Sequence, residues 1–327
     1  MRFQTALQSF LVACSYATPI PDVSQALQNI LKNTHGSKLY TYPTDLTRGI
    51  APKPFHSHND YWRDLPFYSA LSYGAVSVEA DVWLYNDTLF VPDAIQVGHE
   101  ESALTKERTF ESLYINPILD TIKRENPSSP FVESPTRNGV YDTSSGQTLY
   151  LFVDVKTDGP TTWPFVLDAL KPLSDAKYLS NVTGITDDAV VTSGPVTVVG
   201  TGNTPIQYFV SNPGTTSKPR EVFYDAHLNM LSGPEKNITS AISPIASVDF
   251  VAVFGEVVNR TFNDTQLSTL KSQVATAHSR GIAARYWDQP GYPIGTRNAI
   301  WRTLIDNGVD LLNVDDLAGA AGFWEME

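Results

Sequence analysis

The sequence predicts an α/β fold, a (β/α)₈ barrel of the TIM type, from three observations. Eight strand-like stretches recur along the chain, and several are unbroken apolar runs of the kind that parallel strands need when buried on both faces. Helix-like stretches separate most of them. The polar residues able to do chemistry gather at the C-terminal ends of the strands, where barrels build their sites, while the strand starts are plainer. A doubly wound open sheet is the alternative, but no Gly-rich nucleotide loop follows the first strand.

In chain order, "APKPFHSH" is the first strand and ends on His56 and His58. The helix "LPFYSALSYG" then stops at Gly74. "AVSVEADVWL" carries Glu79 and Asp81, and "TLYLFVDVK" carries Asp154 and Lys156. Between them, Pro127 to Gln147 is a loop rich in turn formers. "VTVVGTGN" ends at Asn203, "EVFYDAHL" at Asp225 and His227, and "DFVAVFGEV", read as the sixth strand, at Glu256. A helix over "NDTQLSTLKSQVATAHSRG" has Asn/Asp at its start and Gly281 at its end. "IAARYWDQ" closes on Trp287 and Asp288, the helix "TRNAIWRTLIDNG" stops at Gly308, and "DLLNVDDL" ends on Asp315 and Asp316.

The chain of 327 residues divides into a leader at residues 1–17, a lead-in at 18–50 and a single barrel domain at 51–327. Arg2, the apolar "TALQSFLVACSYA" and small residues at Ser15 and Ala17 read as a secretory signal, so the expected location is extracellular. Five Asn-x-Thr sequons, at Asn86, Asn181, Asn237, Asn259 and Asn263, agree with that. The one cysteine, Cys14, lies in the leader, which leaves the mature chain without thiol catalysis, disulfides or zinc–thiolate sites. A formal net charge of −12 argues against binding nucleic acid, and no integral membrane span or protein partner is inferred.

"SVEADVWL" sets Glu79 and Asp81 on one face of an otherwise apolar strand. Two carboxylates so close raise each other's pKa unless a positive charge lies between them. A hard divalent cation is the simplest remedy, Mg²⁺ before Ca²⁺, with Asp154 added from the next main strand. Lys156 can neutralise an anionic ligand, and His99 in "QVGHE" can face His56 or His58 across the mouth. Two imidazoles, a cation and a lysine suit phosphodiester cleavage: cation and lysine hold the phosphate charge while the imidazoles move protons.

The ordered set "HSHNDYW…ALSYGAVSVEADVWL…VGHE", then "VDVKT" and "ARYWDQP…GVDLLNVDDL", resembles the PLC-like phosphodiesterase superfamily of barrels. That superfamily contains glycerophosphodiester phosphodiesterases and sphingomyelinase D toxins, and the likeness is greatest to a fungal branch, the altered-inheritance-of-mitochondria proteins. The resemblance implies His56 or His58, His99 and Lys156 as catalytic residues and Glu79, Asp81 and Asp154 as metal ligands. It implies substrate contacts at Asn59, Trp287 and Asp315. The arginine that follows the first histidine in glycerophosphodiesterases is absent; Ser57 or Asn59 stands there instead. The implied substrate is a glycerophosphodiester or lysophospholipid. A glycoside hydrolase would leave the histidines and Lys156 without a role, and a binding barrel without catalysis is the remaining alternative.

Overall fold

The computed structural model of the chain describes residues 39, 44–92, 101–186 and 188–325. Its strands in chain order are β1 (Lys53–Ser57), β2 (Ala75–Tyr85), β3 (Thr88–Pro92), β4 (Leu104–Thr109), β5 (Leu149–Val155) and β6 (Asn181–Thr183). They continue as β7 (Val190–Thr192), β8 (Val196–Gly202), β9 (Val222–His227), β10 (Ile245–Asp249), β11 (Ala283–Trp287) and β12 (Leu311–Val314). Parallel pairing runs β1–β2–β5–β8–β9–β10–β11–β12 and returns from β12 to β1, so eight strands close the predicted (β/α)₈ barrel. β3 and β4 extend β2 as an antiparallel flap, and β6 and β7 form a separate hairpin.

The apolar runs of the sequence become strands buried on both faces, as in the β5 segment "LYLFVDV". Register then decides which carboxylates meet. Asp81 on β2 lies directly beside Asp154 on β5, and Glu79 is two residues back on the same face as Asp81. Gly202 at the end of β8 has φ +63°, and a Cβ there would stand 2.0 Å from Asp154 Oδ1. The glycine is what lets the Asp154 carboxylate lie against the next strand.

The barrel floor is apolar, with Val76, Phe152, Val199, Phe223, Ile245 and Leu311 in one cluster, and a larger core lies between strands and helices. The sequence reading misplaced the sixth strand. β10 is "IASVD", and the following Phe250–Phe254 is a short helix whose N-cap, Asp249, accepts from the Ala252 N–H at 2.8 Å. An apolar run of strand length cannot separate a strand from a buried helix turn, and the capping aspartate inside it was the deciding signal. Glu256 therefore closes no strand and is exposed.

Helix Asp264–His278 starts at the Asn/Asp pair, as its sequence suggested, and the structure adds a capping box between Asn263 and Gln266. The turn-rich segment before β5 is tied down at its end, where the buried Tyr141 hydroxyl donates to the Ala75 carbonyl at 2.6 Å. Part of the lead-in is also built into the barrel: the buried Thr47 hydroxyl donates to Glu125 at 3.0 Å and accepts from the Asp142 N–H. The leader at residues 1–17 lies outside the described residues. Among the described residues no helix is long and apolar enough to cross a membrane.

Candidate active site

A cleft of ≈ 830 Å³ opens at the C-terminal ends of the strands. His58, Asn59, Glu79, Asp81, Asp154 and Lys156 line one side of it, and Asp225, His227 and Trp287 line the other. Glu79, Asp81 and Asp154 converge there, each offering an oxygen within 4.8 Å of the others. Glu79 and Asp81 are buried. Three carboxylate oxygens and no sulfur form a donor set that fits a hard divalent cation.

Charge within the cluster supports that fit. Burial, then the neighbouring charge of Asp81, pushes the Asp154 carboxyl up to about 6, against the pull of Lys156. The Lys156 ammonium lies 2.7 Å from Asp154 Oδ2 and 3.1 Å from Asp81 Oδ2. Burial alone would lower the Lys156 pKa; Asp154 and Asp81 outweigh that and hold it above the ordinary lysine value. The Tyr61 hydroxyl donates to the same Asp81 oxygen at 2.7 Å.

The two histidines of "HSHND" occupy different places. His56 is fully buried beneath the cleft; its Nδ1 shares a 2.7 Å hydrogen bond with the Ser77 hydroxyl, and its ring stands edge-on to Phe152. Burial, then Arg285, lowers its pKa to about 3, so the ring is neutral. Its Nε2 has no hydrogen-bond partner and lies 3.8 Å from Glu79 Oε2. His58 faces the cleft, with Nδ1 donating to Asp315 Oδ1 at 2.8 Å and Nε2 3.9 Å from Glu79 Oε2. Burial lowers its pKa, but the Asp315 hydrogen bond and the Glu79 charge outweigh it and raise the pKa overall.

The rest of the motif holds this arrangement. Asn59 is in the left-handed region at φ 49°, which turns its N–H onto Glu79 Oε2 at 2.9 Å. The buried Asp60 carboxylate accepts from Ser57 Oγ at 2.7 Å, from the Phe67 N–H at 2.6 Å and from the Tyr114 hydroxyl at 3.1 Å. Asp60→Ala leaves the Ser57 hydroxyl and the Phe67 N–H unpaired, while Tyr114 keeps the Glu79 carbonyl at 2.9 Å, so the variant is expected to lose about 1–3 kcal/mol of stability in urea unfolding. A change near zero would show that the β1 loop does not depend on Asp60.

The structure thus brings together His58, Asn59, Glu79, Asp81, Asp154, Lys156 and Trp287 around one cleft, with Asp315 bonded to His58. His56 does not line it, and His99 lies outside the described residues. Sequence reasoning missed Arg285. Its guanidinium donates to Asn313 Oδ1 at 2.7 Å and Ser247 Oγ at 3.2 Å, stacks 4.9 Å over Phe152, and lies 4.0 Å from Glu79 and 3.9 Å from Asp225. The signal was present: an arginine two residues before Trp287 on an apolar strand must share Trp287's inward face.

The profile of the AIM6-like phosphodiesterase domain matches residues 44–225. An altered inheritance of mitochondria protein 6 homolog from Arthroderma benhamiae is 50% identical over 327 residues, covering 97% of this chain and 98% of that one. Altered inheritance of mitochondria protein 6 from Eremothecium gossypii is 36% identical, covering 82% of this chain and 68% of its own. A glycerophosphoryl diester phosphodiesterase from Parabacteroides distasonis superposes with a TM-score of 0.43 at 14% identity, covering 88% and 92% of the two chains. The relatives' names correct the expectation of secretion, since inheritance of mitochondria is an intracellular matter. The physical reason for the misreading is that an apolar, acid-free opening behind one arginine is shared by leaders of different destinations.

Proposed function

The chain belongs to the AIM6-like phosphodiesterase family, and from that premise we propose that its cleft is a metal-dependent phosphodiesterase site acting on a glycerophosphodiester or lysophospholipid. The observation that carries the reading is the convergence of Glu79, Asp81 and Asp154 within 4.8 Å, with Lys156 bonded to two of them. Those three carboxylates would hold the cation. Mg²⁺ is the first choice, because it is usually held by few carboxylates and completes its shell with water and phosphate oxygens. Bound there, the cation would neutralise charge on the phosphate as the bond breaks.

The chain's own residues supply the rest. Lys156 places a fixed positive charge at the phosphate end of the cleft. His58 moves the proton at Nε2, because Nδ1 is committed to Asp315, which orients the ring and stabilises its protonated form. His99 is proposed as the second acid–base group. His56, neutral and packed beneath Glu79 with Nε2 3.8 Å from Oε2, carries no proton in the reaction. Asn59 steadies Glu79 through its N–H, and Trp287 offers an aromatic face to the group attached to the phosphate.

Phosphorus NMR of glycerophosphocholine and lysophosphatidylcholine with the purified chain tests the reading. Turnover with Mg²⁺ that stops in EDTA is expected, and an open or a cyclic phosphate product identifies water or a substrate hydroxyl as the nucleophile. Cation binding with no turnover on either compound or a wider phosphodiester panel would mean a barrel that binds without cleaving. Release of sugar from glycosides in EDTA would replace the reading with glycoside hydrolysis.

A further inference from the structure

Among the described residues fifteen large apolar side chains are exposed, and eight of them lie just beyond the C-terminal ends of barrel strands. Six of the eight form an arc over three consecutive strands: Met230 after β9, Val251 and Val258 after β10, and Trp287, Tyr292 and Ile294 at or after the end of β11. The exposure is large at the tips, 82% for Tyr292, 61% for Val258 and 58% for Ile294. These tips belong together, because Val258–Arg260 packs against helix Ile294–Asp306 and the Arg260 guanidinium lies against Gly295. Trp62 and Leu65, after β1, are exposed at the same end of the barrel.

Exposed apolar groups concentrated in one place mark an interaction surface, whereas scattered ones need no explanation. Two features say what covers this one. Met230 and Trp287 are both part of the arc and part of the cleft wall, so whatever the arc rests on is continuous with whatever enters the site. Tryptophan and tyrosine beside aliphatic tips also suit a lipid–water boundary, where an amphipathic ring sits among head groups and the aliphatic groups reach below. The charges around the arc choose the lipid. Asp249, Glu256, Asp264 and Asp288 outnumber Arg260, so an anionic surface is repelled and a zwitterionic one is not.

We propose that the arc from Met230 to Ile294 docks the barrel mouth onto a zwitterionic lipid surface, and that the phosphodiester enters the cleft from that surface. The second half rests on the phosphodiesterase reading above; the docking does not.

Co-sedimentation of the full chain with phosphatidylcholine vesicles tests it, alongside a variant combining Val258→Ser, Tyr292→Ser and Ile294→Ser. The wild type is expected to partition onto the vesicles, with little sensitivity to salt and weaker binding as phosphatidylserine is added. The triple variant is expected to bind about tenfold or more weakly, from the lost apolar burial. Its melting temperature should match wild type, since all three side chains are exposed. Its turnover of soluble glycerophosphocholine should also be unchanged, while turnover of vesicle-borne lysophosphatidylcholine falls with binding.

Wild-type protein that stays in the supernatant, or a triple variant that binds as well as wild type, overturns the docking. So does an arc-dependent dimer in sedimentation velocity with no vesicle binding, which would make the partner a second copy. Arc-dependent vesicle binding with no turnover of either substrate would leave the docking standing and remove the phosphodiesterase reading instead.

Discussion

His58→Asn is expected to lower kcat by about 10²–10⁴-fold, with a small change in KM, because it removes a proton carrier and not a binding contact. The substitution also takes away the limb of the pH profile that titration of His58, with its raised pKa, would produce. The companion variant His56→Asn should behave differently. His56 is buried, neutral and bonded to Ser77, so its replacement is expected to lower stability while leaving the shape of the pH profile intact. The reverse pattern, with the profile following His56 and unaffected at His58, would exchange the roles assigned to the two histidines.

The second large effect is expected at Arg285. Arg285→Met leaves Glu79 and Asp225 buried without the cation that lies between them, and removes the stacking on Phe152. Breaking a buried charge cluster by deleting one partner costs about 3–5 kcal/mol. Chemical denaturation should show a loss of that order in the metal-free protein. Added Mg²⁺ should recover part of it, because a dication on Glu79 restores some of the missing charge. A loss below about 1 kcal/mol would mean that water reaches these carboxylates and screens them, and that Arg285 is not needed to balance their charge.

Much of this arrangement was legible because strands have a period of two. Glu79 and Asp81 on an apolar strand had to share a face, and so did Asp154 and Lys156, which left only register to be supplied by the fold. The difference between His56 and His58 was not legible. Both project inward, and only depth along the barrel axis separates a ring under Glu79 from one beside the cleft. Arg285 went unread for a related reason: attention to the strand ends favours residues at the rim, whereas Arg285 works two residues below it. The sixth strand was misassigned because the apolar residues resume at once after Asp249 as a helix of strand length, and only the capping role of that aspartate marks the boundary. Gly202 shows what a sequence seldom reveals: a residue required for the absence of its side chain, beside a carboxylate on the neighbouring strand.

The central claim is that Glu79, Asp81 and Asp154 hold a divalent cation on which phosphodiester cleavage depends. The most direct measurement is a Mg²⁺ titration of EDTA-stripped protein, following lysophosphatidylcholine cleavage by phosphorus NMR in wild type and in Asp81→Asn. Saturable return of activity in wild type is expected, with the Asp81→Asn curve displaced to much higher Mg²⁺ or flat. Full activity in the stripped protein, or identical titrations for the two chains, would contradict it.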